Sequence, residues 1–292
     1  MSRSWLIIGA GYTGGRLAAR LAERGDSVTV TRRHFDTAGA GARWPSTVTE
    51  LALDLDGELP PLSAGGGAAV VCAPPGESAG QREARLVAAL RDCSRLIYVS
   101  STGVYGPGGG QWVDERWPIA PHGALGEARA AAEASLVRAA ESASISWCLL
   151  RAAGIYGPGR GLVARVRSGA ARVIEDGRAC VSRIHVEDLV TAIVHAAERE
   201  ICGAVNCADD EPSPHGEVLD AVAAHLGLPP PPRVGAYELS DAARAMLLAD
   251  RKIQNRRMRQ ELGVELRYPS WRDGLAAELA TQQSTEQATG QA

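Results

Sequence analysis

Lysine is nearly missing from this 292-residue chain: Lys252 stands alone among 31 basic side chains. Roles that lysine usually takes must fall to arginine everywhere else. Aromatics are also scarce, at 4% with a single phenylalanine, whereas hydrophobic residues reach 45%. The core must therefore be aliphatic and rich in alanine, and the length suffices for one large α/β unit or two unequal lobes. The six cysteines (Cys72, Cys93, Cys148, Cys180, Cys202 and Cys207) show no CxxC clustering. They read as small hydrophobes in a reducing compartment. A net charge of −3 gives no reason to expect nucleic acid or an anionic membrane as partner. No charged-then-apolar leader precedes the first strand and no apolar run has membrane-spanning length, so the expected location is the cytoplasm.

What is present is an alternation of strands and helices. WLIIGAGYTGGRLAARLAERGDSVTVTRR reads as a strand, a glycine turn, an amphipathic helix and a second strand, the length of one βαβ unit. Later apolar runs, VTELALDL, AAVVCAPP, RLIYVSS and SISWCLLRAA, are joined by helical patterns in QREARLVAALRDC and GEARAAAEASLVRAAES. This predicts a doubly wound parallel sheet, a Rossmann-type α/β fold. Residues 39–45 read as loop. Residues 1–151 make the nucleotide-binding portion. Residues 152–280 are expected to complete the sheet and add a small C-terminal substrate lobe, whose helix in SPHGEVLDAVAAHLGL stops at a run of prolines. Residues 281–292 lack apolar periodicity and are expected to be disordered.

Gly9, Gly11 and Gly14 form GxGxxG between the first strand and its helix. Gly9 allows the tight turn, Gly11 lets backbone approach a pyrophosphate, and Gly14 allows close helix–strand packing. The phosphates would meet the N–H groups of the helix start, at Tyr12 and Thr13. Alone the motif is weak; its strand–turn–helix frame makes a dinucleotide site the expectation. The second strand ends in Thr31, Arg32 and Arg33, where a preference for NAD would usually place an acid. Arg32 and Arg33 suit a 2′-phosphate, so NADP is expected, with NAD as the alternative. The plain reading against it is two solvated arginines. Asp54 in ALDL would bond an adenine amino group, or it simply ends its strand. Leu55, Ala73, Ser100 and Ala152 are the other positions expected against the cofactor.

RLIYVSSTGVYG, at residues 95–106, resembles the extended and atypical short-chain dehydrogenase/reductases, the NAD(P)-dependent epimerase/dehydratase superfamily. The resemblance continues through VDERWPIAP, LLRAAGIYGPGR, SRIHVEDL and VNCADDEPSP, and NRRMRQELGVELRYPSWRDGL is similar to a branch labelled sugar-nucleotide epimerase-like. It implies that Ser101, four before the tyrosine of VYG, bonds the substrate hydroxyl; the plain reading of Ser101 is a turn cap. Tyr105 is expected to pack. Gly154 stands where the family often has a substrate-contacting asparagine. The phosphate-binding arginine that often precedes HVxD by four residues is here Val181, and Arg183 replaces it two residues on. Positions two apart in a strand share a face, so Arg183 could project into the same site. His185 and Asp188 read as structural at this junction.

The last absence is chemical. Members with full chemistry carry YxxxK, and counting back from Glu133 puts Leu125 at the tyrosine and Arg129 at the lysine, in LGEAR. Arginine can hold a ribose and supply charge; leucine cannot transfer a proton. One reading is an oxidoreductase or epimerase with a non-standard site, acting on a sugar nucleotide or related small hydroxyl or carbonyl substrate. Ser101 and Arg129 are its candidate catalytic residues, with Ser101, Tyr156 and Arg183 toward substrate and Tyr156, His122 or water as other proton donors. The alternative is a catalytically inactive NADP-binding regulator or sensor. A simple 2-hydroxyacid dehydrogenase is disfavoured by SSTGVYG and HVED. The alanine-rich helix beginning near Gly126 would permit a homodimer.

Overall fold

The computed structural model describes residues 2–34, 44–45, 47–199 and 201–289. The apolar runs become seven strands: β1 (Ser4–Ile8), β2 (Ser27–Arg32), β3 (Val48–Ala52), β4 (Ala68–Val71), β5 (Arg95–Ser101), β6 (Ser146–Ala152) and β7 (Gly203–Cys207). They form one parallel sheet in the order β3-β2-β1-β4-β5-β6-β7. The strand order reverses between β1 and β4, which opens a crevice beyond their carboxyl ends. The loop expected at residues 39–45 falls mostly outside the described residues.

Period-two alternation sends successive side chains to opposite faces, and both faces are covered. Trp5, Ile7, Val28, Val30, Ile97, Val99 and Leu150 pack under α1 (Tyr12–Glu23) and, further along the chain, the helix at Val186–Glu198. Leu6, Ile8, Ala69, Val71, Leu96, Tyr98 and Leu149 pack under α2 (Gln81–Ala89) and α3 (Ala124–Ser142). The remaining helices are α4 (Leu162–Arg167), α5 (the Val186–Glu198 helix), α6 (His215–His225), α7 (Asp241–Leu247), α8 (Arg256–Gln260) and α9 (Trp271–Thr289).

A third apolar cluster joins α4, α6 and α9 through Val163, Val166, Val218, Val222, Trp271, Leu275 and Leu279. It is the core of the C-terminal lobe. The lobe meets the sheet through two short parallel strands, 154–156 and 183–185, paired Gly154 to Arg183 and Tyr156 to His185. The helix α9 spans Trp271–Thr289.

Candidate cofactor and substrate site

The glycine turn follows β1 directly. Gly9 has φ +94°, and a Cβ there would lie 2.8 Å from the Ala73 nitrogen, so the segment just after β4 and the turn touch backbone to backbone. A Cβ on Gly14 would collide with the Gly9 carbonyl, whereas one on Gly11 would meet nothing within 4 Å. The Gly9 N–H donates to Thr31 Oγ1 (3.2 Å) and Ala73 N to the Ile8 carbonyl (3.1 Å), which fixes the turn to its neighbours. At the start of α1 there is no side-chain cap and no acid in the first turn. Among the described residues the N–H groups of Tyr12, Thr13 and Gly14 reach no acceptor. Free N–H groups, an uncompensated helix dipole and open space at Gly11 fit a pyrophosphate.

Arg32 is half-buried and Arg33 exposed at the end of β2, and neither makes an ion pair among the described residues. Asp54 is exposed, and its Oδ1 accepts from the Asp56 N–H (3.1 Å), the turn-forming role. Leu55 is half-buried against the α2 and α3 side of the sheet. The Tyr12 hydroxyl donates to the Pro158 carbonyl (3.1 Å), and Arg16 donates to the same oxygen (2.8 Å), so the nucleotide turn is strapped to the GPGR turn of the lobe.

The carboxyl end of β5 carries the two serines on opposite faces. Ser100 is buried and donates to Glu133 of α3 (2.5 Å). Ser101 is half-exposed, and its Oγ accepts from Gly103 N (3.0 Å), capping the turn at Thr102–Val104. Ala152, at the end of β6, is paired with Ser101 and buried. Glu133 also holds Arg151 through Nε (3.1 Å) and Nη2 (2.8 Å), and Arg151 Nη1 donates to the Tyr105 hydroxyl (2.9 Å). Tyr105 in turn donates to Asn206 Oδ1 (2.8 Å), so a fully buried polar chain runs from α3 across β5 and β6 to β7. Tyr105 is thus more than packing.

One turn before Glu133, Arg129 donates from Nη1 to the Tyr98 hydroxyl (2.9 Å) and the Val99 carbonyl (3.1 Å). One turn earlier still, Leu125 is 68% exposed, a large apolar side chain left in solvent. Burial pushes the Tyr98 phenol up to about 12, even with Arg129 beside it, so Tyr98 is too deep and too weak an acid to serve as a proton donor. His122 is exposed.

On the lobe side, Tyr156 is buried, donates to the Ser270 carbonyl (3.2 Å) and packs edge-on against His185. Burial raises its phenol pKa, with nearby Asp209 and Asp188 adding to the effect. It ties α9 to the sheet. His185 caps α5 by accepting from Glu187 N at Nδ1 (3.2 Å), and Asp188 accepts from the N–H groups of Arg267 and Tyr268 (2.8 and 3.0 Å). Burial lowers His185 to about 4, so it is neutral at physiological pH. Arg183 is 5% exposed and donates from Nη1 to the Val181 carbonyl (2.9 Å). Sequence reasoning did not single out Asp209, which is 1% exposed and stands in the field of Arg183. An acid in a polar loop run, ADDEP, gives no sign that it will be buried.

Residues 77–208 match the NAD dependent epimerase/dehydratase family. Over 215 residues the chain is 35% identical to a 3-diazoavenalumate denitrifying reductase from Streptomyces sp., spanning 67% of this chain and 69% of that protein. A conserved protein of unknown function from Silicibacter pomeroyi DSS has a similar structure, with TM-score 0.77 and 32% identity over 96% of this chain and 99% of that one. MoeE5, solved with UDP-glucose and NAD, shares the fold at 23% identity and TM-score 0.77, over 97% of this chain and 99% of its own. The human epimerase family protein SDR39U1, solved with NADPH, does so at 18% identity and TM-score 0.72, over 93% and 97%. With a glycine turn built for a dinucleotide at the switch point of a seven-stranded parallel sheet, the chain belongs to the NAD-dependent epimerase/dehydratase family.

Proposed function

We propose that this protein is an NADP(H)-dependent reductase that directs hydride to a small substrate without a protein tyrosine as proton source. The observation that carries the reading is Leu125, 68% exposed one helical turn before Arg129, at the place of the acid. Bound reduced nicotinamide would supply the hydride. The Gly9–Gly14 turn and the start of α1 would hold the pyrophosphate, Arg32 the 2′-phosphate, and Arg129 the ribose next to the reacting end. Ser101 keeps its hydroxyl proton free to donate, because its oxygen accepts in the turn.

Without an acid, the favoured substrate is one whose reduction leaves no alkoxide to protonate. The reductase from Streptomyces supports this by its name: reduction of a diazo group with loss of nitrogen fits such chemistry. When hydride adds to the carbon bearing a diazonium group, a C–H bond forms, the C–N bond breaks, and its electron pair leaves with N2. No proton is needed. Ketone reduction or epimerisation at a sugar carbon would need one. The test is NADPH oxidation with an aryl diazonium salt, a small ketone and UDP-glucose, together with calorimetric binding of NADPH. Turnover with the diazonium and not the others is expected. NADPH binding without turnover of any of them would overturn the reading in favour of a regulatory role.

A further inference from the structure

The GPGR turn, Gly157–Arg160, leads into α4 of the lobe, yet it is set against the first residue of α1. Gly157 and Arg160 close the turn by two backbone hydrogen bonds, Gly157 N to the Arg160 carbonyl (2.9 Å) and Arg160 N to the Gly157 carbonyl (3.0 Å). Gly157 has φ +141°, and a Cβ there would lie 2.9 Å from His185 Nε2 and 3.1 Å from the Tyr12 hydroxyl. The Pro158 carbonyl accepts from that hydroxyl and from Arg16. A turn closed on itself and pinned to Tyr12, Arg16 and His185 leaves the backbone of Arg160 little freedom.

The Arg160 guanidinium lies 5.4 Å from the centre of the Tyr12 ring, against which Arg16 also packs, at 4.0 Å. Side chains on a helix lean toward its N-terminus. The ring of Tyr12, the first residue of α1, therefore leans toward the end where the N–H groups of Tyr12, Thr13 and Gly14 are free. Arg160 is thereby brought to the edge of the glycine turn. Its charged neighbours are otherwise committed. Arg16 pairs with Glu187 (3.4 Å), and Glu278 of α9 is buried, with Arg167 as the charge that acts on it. Arg160 is exposed, and among the described residues its side chain makes no hydrogen bond and no ion pair.

We infer that Arg160 is the cation that binds the pyrophosphate of the dinucleotide, reaching it from the lobe while the start of α1 holds it from the sheet. The charge of the ligand calls for such a group. A pyrophosphate bridge carries two negative charges, and the end of a helix offsets about half of one. The glycine turn itself, GAGYTGG, holds no basic side chain. Arg32 and Arg33 stand at the end of β2, where the adenosine ribose and its 2′-phosphate are expected, and Arg16 is taken by Glu187. The planar fork of an arginine can donate to oxygens of both phosphates at once. Bound in this way, the cofactor fastens the GPGR turn of the lobe to the nucleotide turn of the sheet.

The inference rests on a dinucleotide at the glycine turn, as the reductase reading does, but its test is equilibrium binding and needs no turnover. The full chain is titrated in a calorimeter with NADP+, NAD+ and 2′-phospho-ADP-ribose, which keeps the pyrophosphate and lacks the nicotinamide. Arg160→Met should weaken all three about tenfold, the low end for hydrogen bonds to a charged group, because the side chain is exposed. Added salt should narrow the gap to the wild type by screening the contact. Arg160→Lys should recover part of the affinity, since it keeps the charge and loses the fork. The Tm of the cofactor-free protein should stay the same in both variants. Unchanged affinity in Arg160→Met would overturn the proposal. So would a loss that spares NAD+, which places Arg160 at the 2′-phosphate, or one that spares 2′-phospho-ADP-ribose, which places it at the nicotinamide. A loss matched by a lower Tm of the cofactor-free protein makes Arg160 structural, and no binding of any probe to the wild type removes the site; both overturn it equally. A protein that binds all three probes through Arg160 yet never oxidises NADPH keeps this inference and loses the reductase reading.

Discussion

Replacing Arg151 by methionine should be among the most damaging single changes in the sheet. Arg151 and Glu133 are almost completely enclosed, at 8% and 7% side-chain exposure. The guanidinium donates to the carboxylate from Nε and Nη2 and to the Tyr105 hydroxyl from Nη1. Methionine matches much of the arginine stem but leaves a carboxylate with only Ser100 as donor. Removing one partner of a buried ion pair costs about 3–5 kcal/mol, mostly the penalty of the charge left behind. For a domain of this size that is a fall in Tm on the order of ten degrees. The double variant Glu133→Leu with Arg151→Met removes the stranded charge and should be more stable than Arg151→Met alone. Urea titrations of the wild type, both single variants and the double variant give the coupling directly. A loss below about 1 kcal/mol for Arg151→Met, or a double variant as unstable as the sum of the singles, would show that the pair is not dry or not coupled, and the reasoning would fail.

Arg32→Asp should remove much of a preference for NADPH over NADH, since a charge-assisted contact contributes roughly 1.5–3 kcal/mol; equal wild-type affinities in calorimetry would refute that assignment. Arg129→Ala should weaken NADPH by a similar amount and, separately, lower Tm, because the buried Tyr98 hydroxyl loses its partner. A change in Tm with cofactor affinity intact would make Arg129 structural only. Tyr156→Phe should retain whatever turnover the wild type has while costing about 1 kcal/mol for the lost bond to Ser270; abolished turnover in a folded variant would restore Tyr156 as proton donor. His185 has a folded pKa lowered to about 4, so its contribution to stability is complete above its unfolded pKa, near 6.5, and is lost as pH falls between the two. His185→Asn, which can still cap α5, should therefore lose less stability between pH 7 and pH 4 than the wild type, as read by urea midpoints.

The strands and the nucleotide turn were legible because their signals are local. A run such as WLIIGAG carries its hydrophobicity, its glycine and its helix start within a few residues. The helix α3 sets Arg129 and Glu133, one turn apart, against Val99 and Ser100, consecutive on β5. Tyr156 could not be read this way: what commits its hydroxyl is a carbonyl 114 residues later, at Ser270. The charges that act on Asp209 come likewise from distant stretches of chain, among them Arg183, Asp188 and Asp273, each on a different element.

The edge strand β7 pairs Gly203–Cys207 with Cys148–Ala152, and the whole stretch from Ala153 to Cys202 lies between the two partners in sequence. During synthesis, β6 therefore emerges with one side of its backbone unpaired and stays so until some fifty further residues have been made. An open parallel edge rich in Trp, Leu and Cys is a template for pairing with another chain. Such a long-range closure forms late because the intervening loop must be ordered first. The nascent chain is thus most exposed to misassembly at this one edge, and a fragment cut at residue 151 would carry the liability permanently.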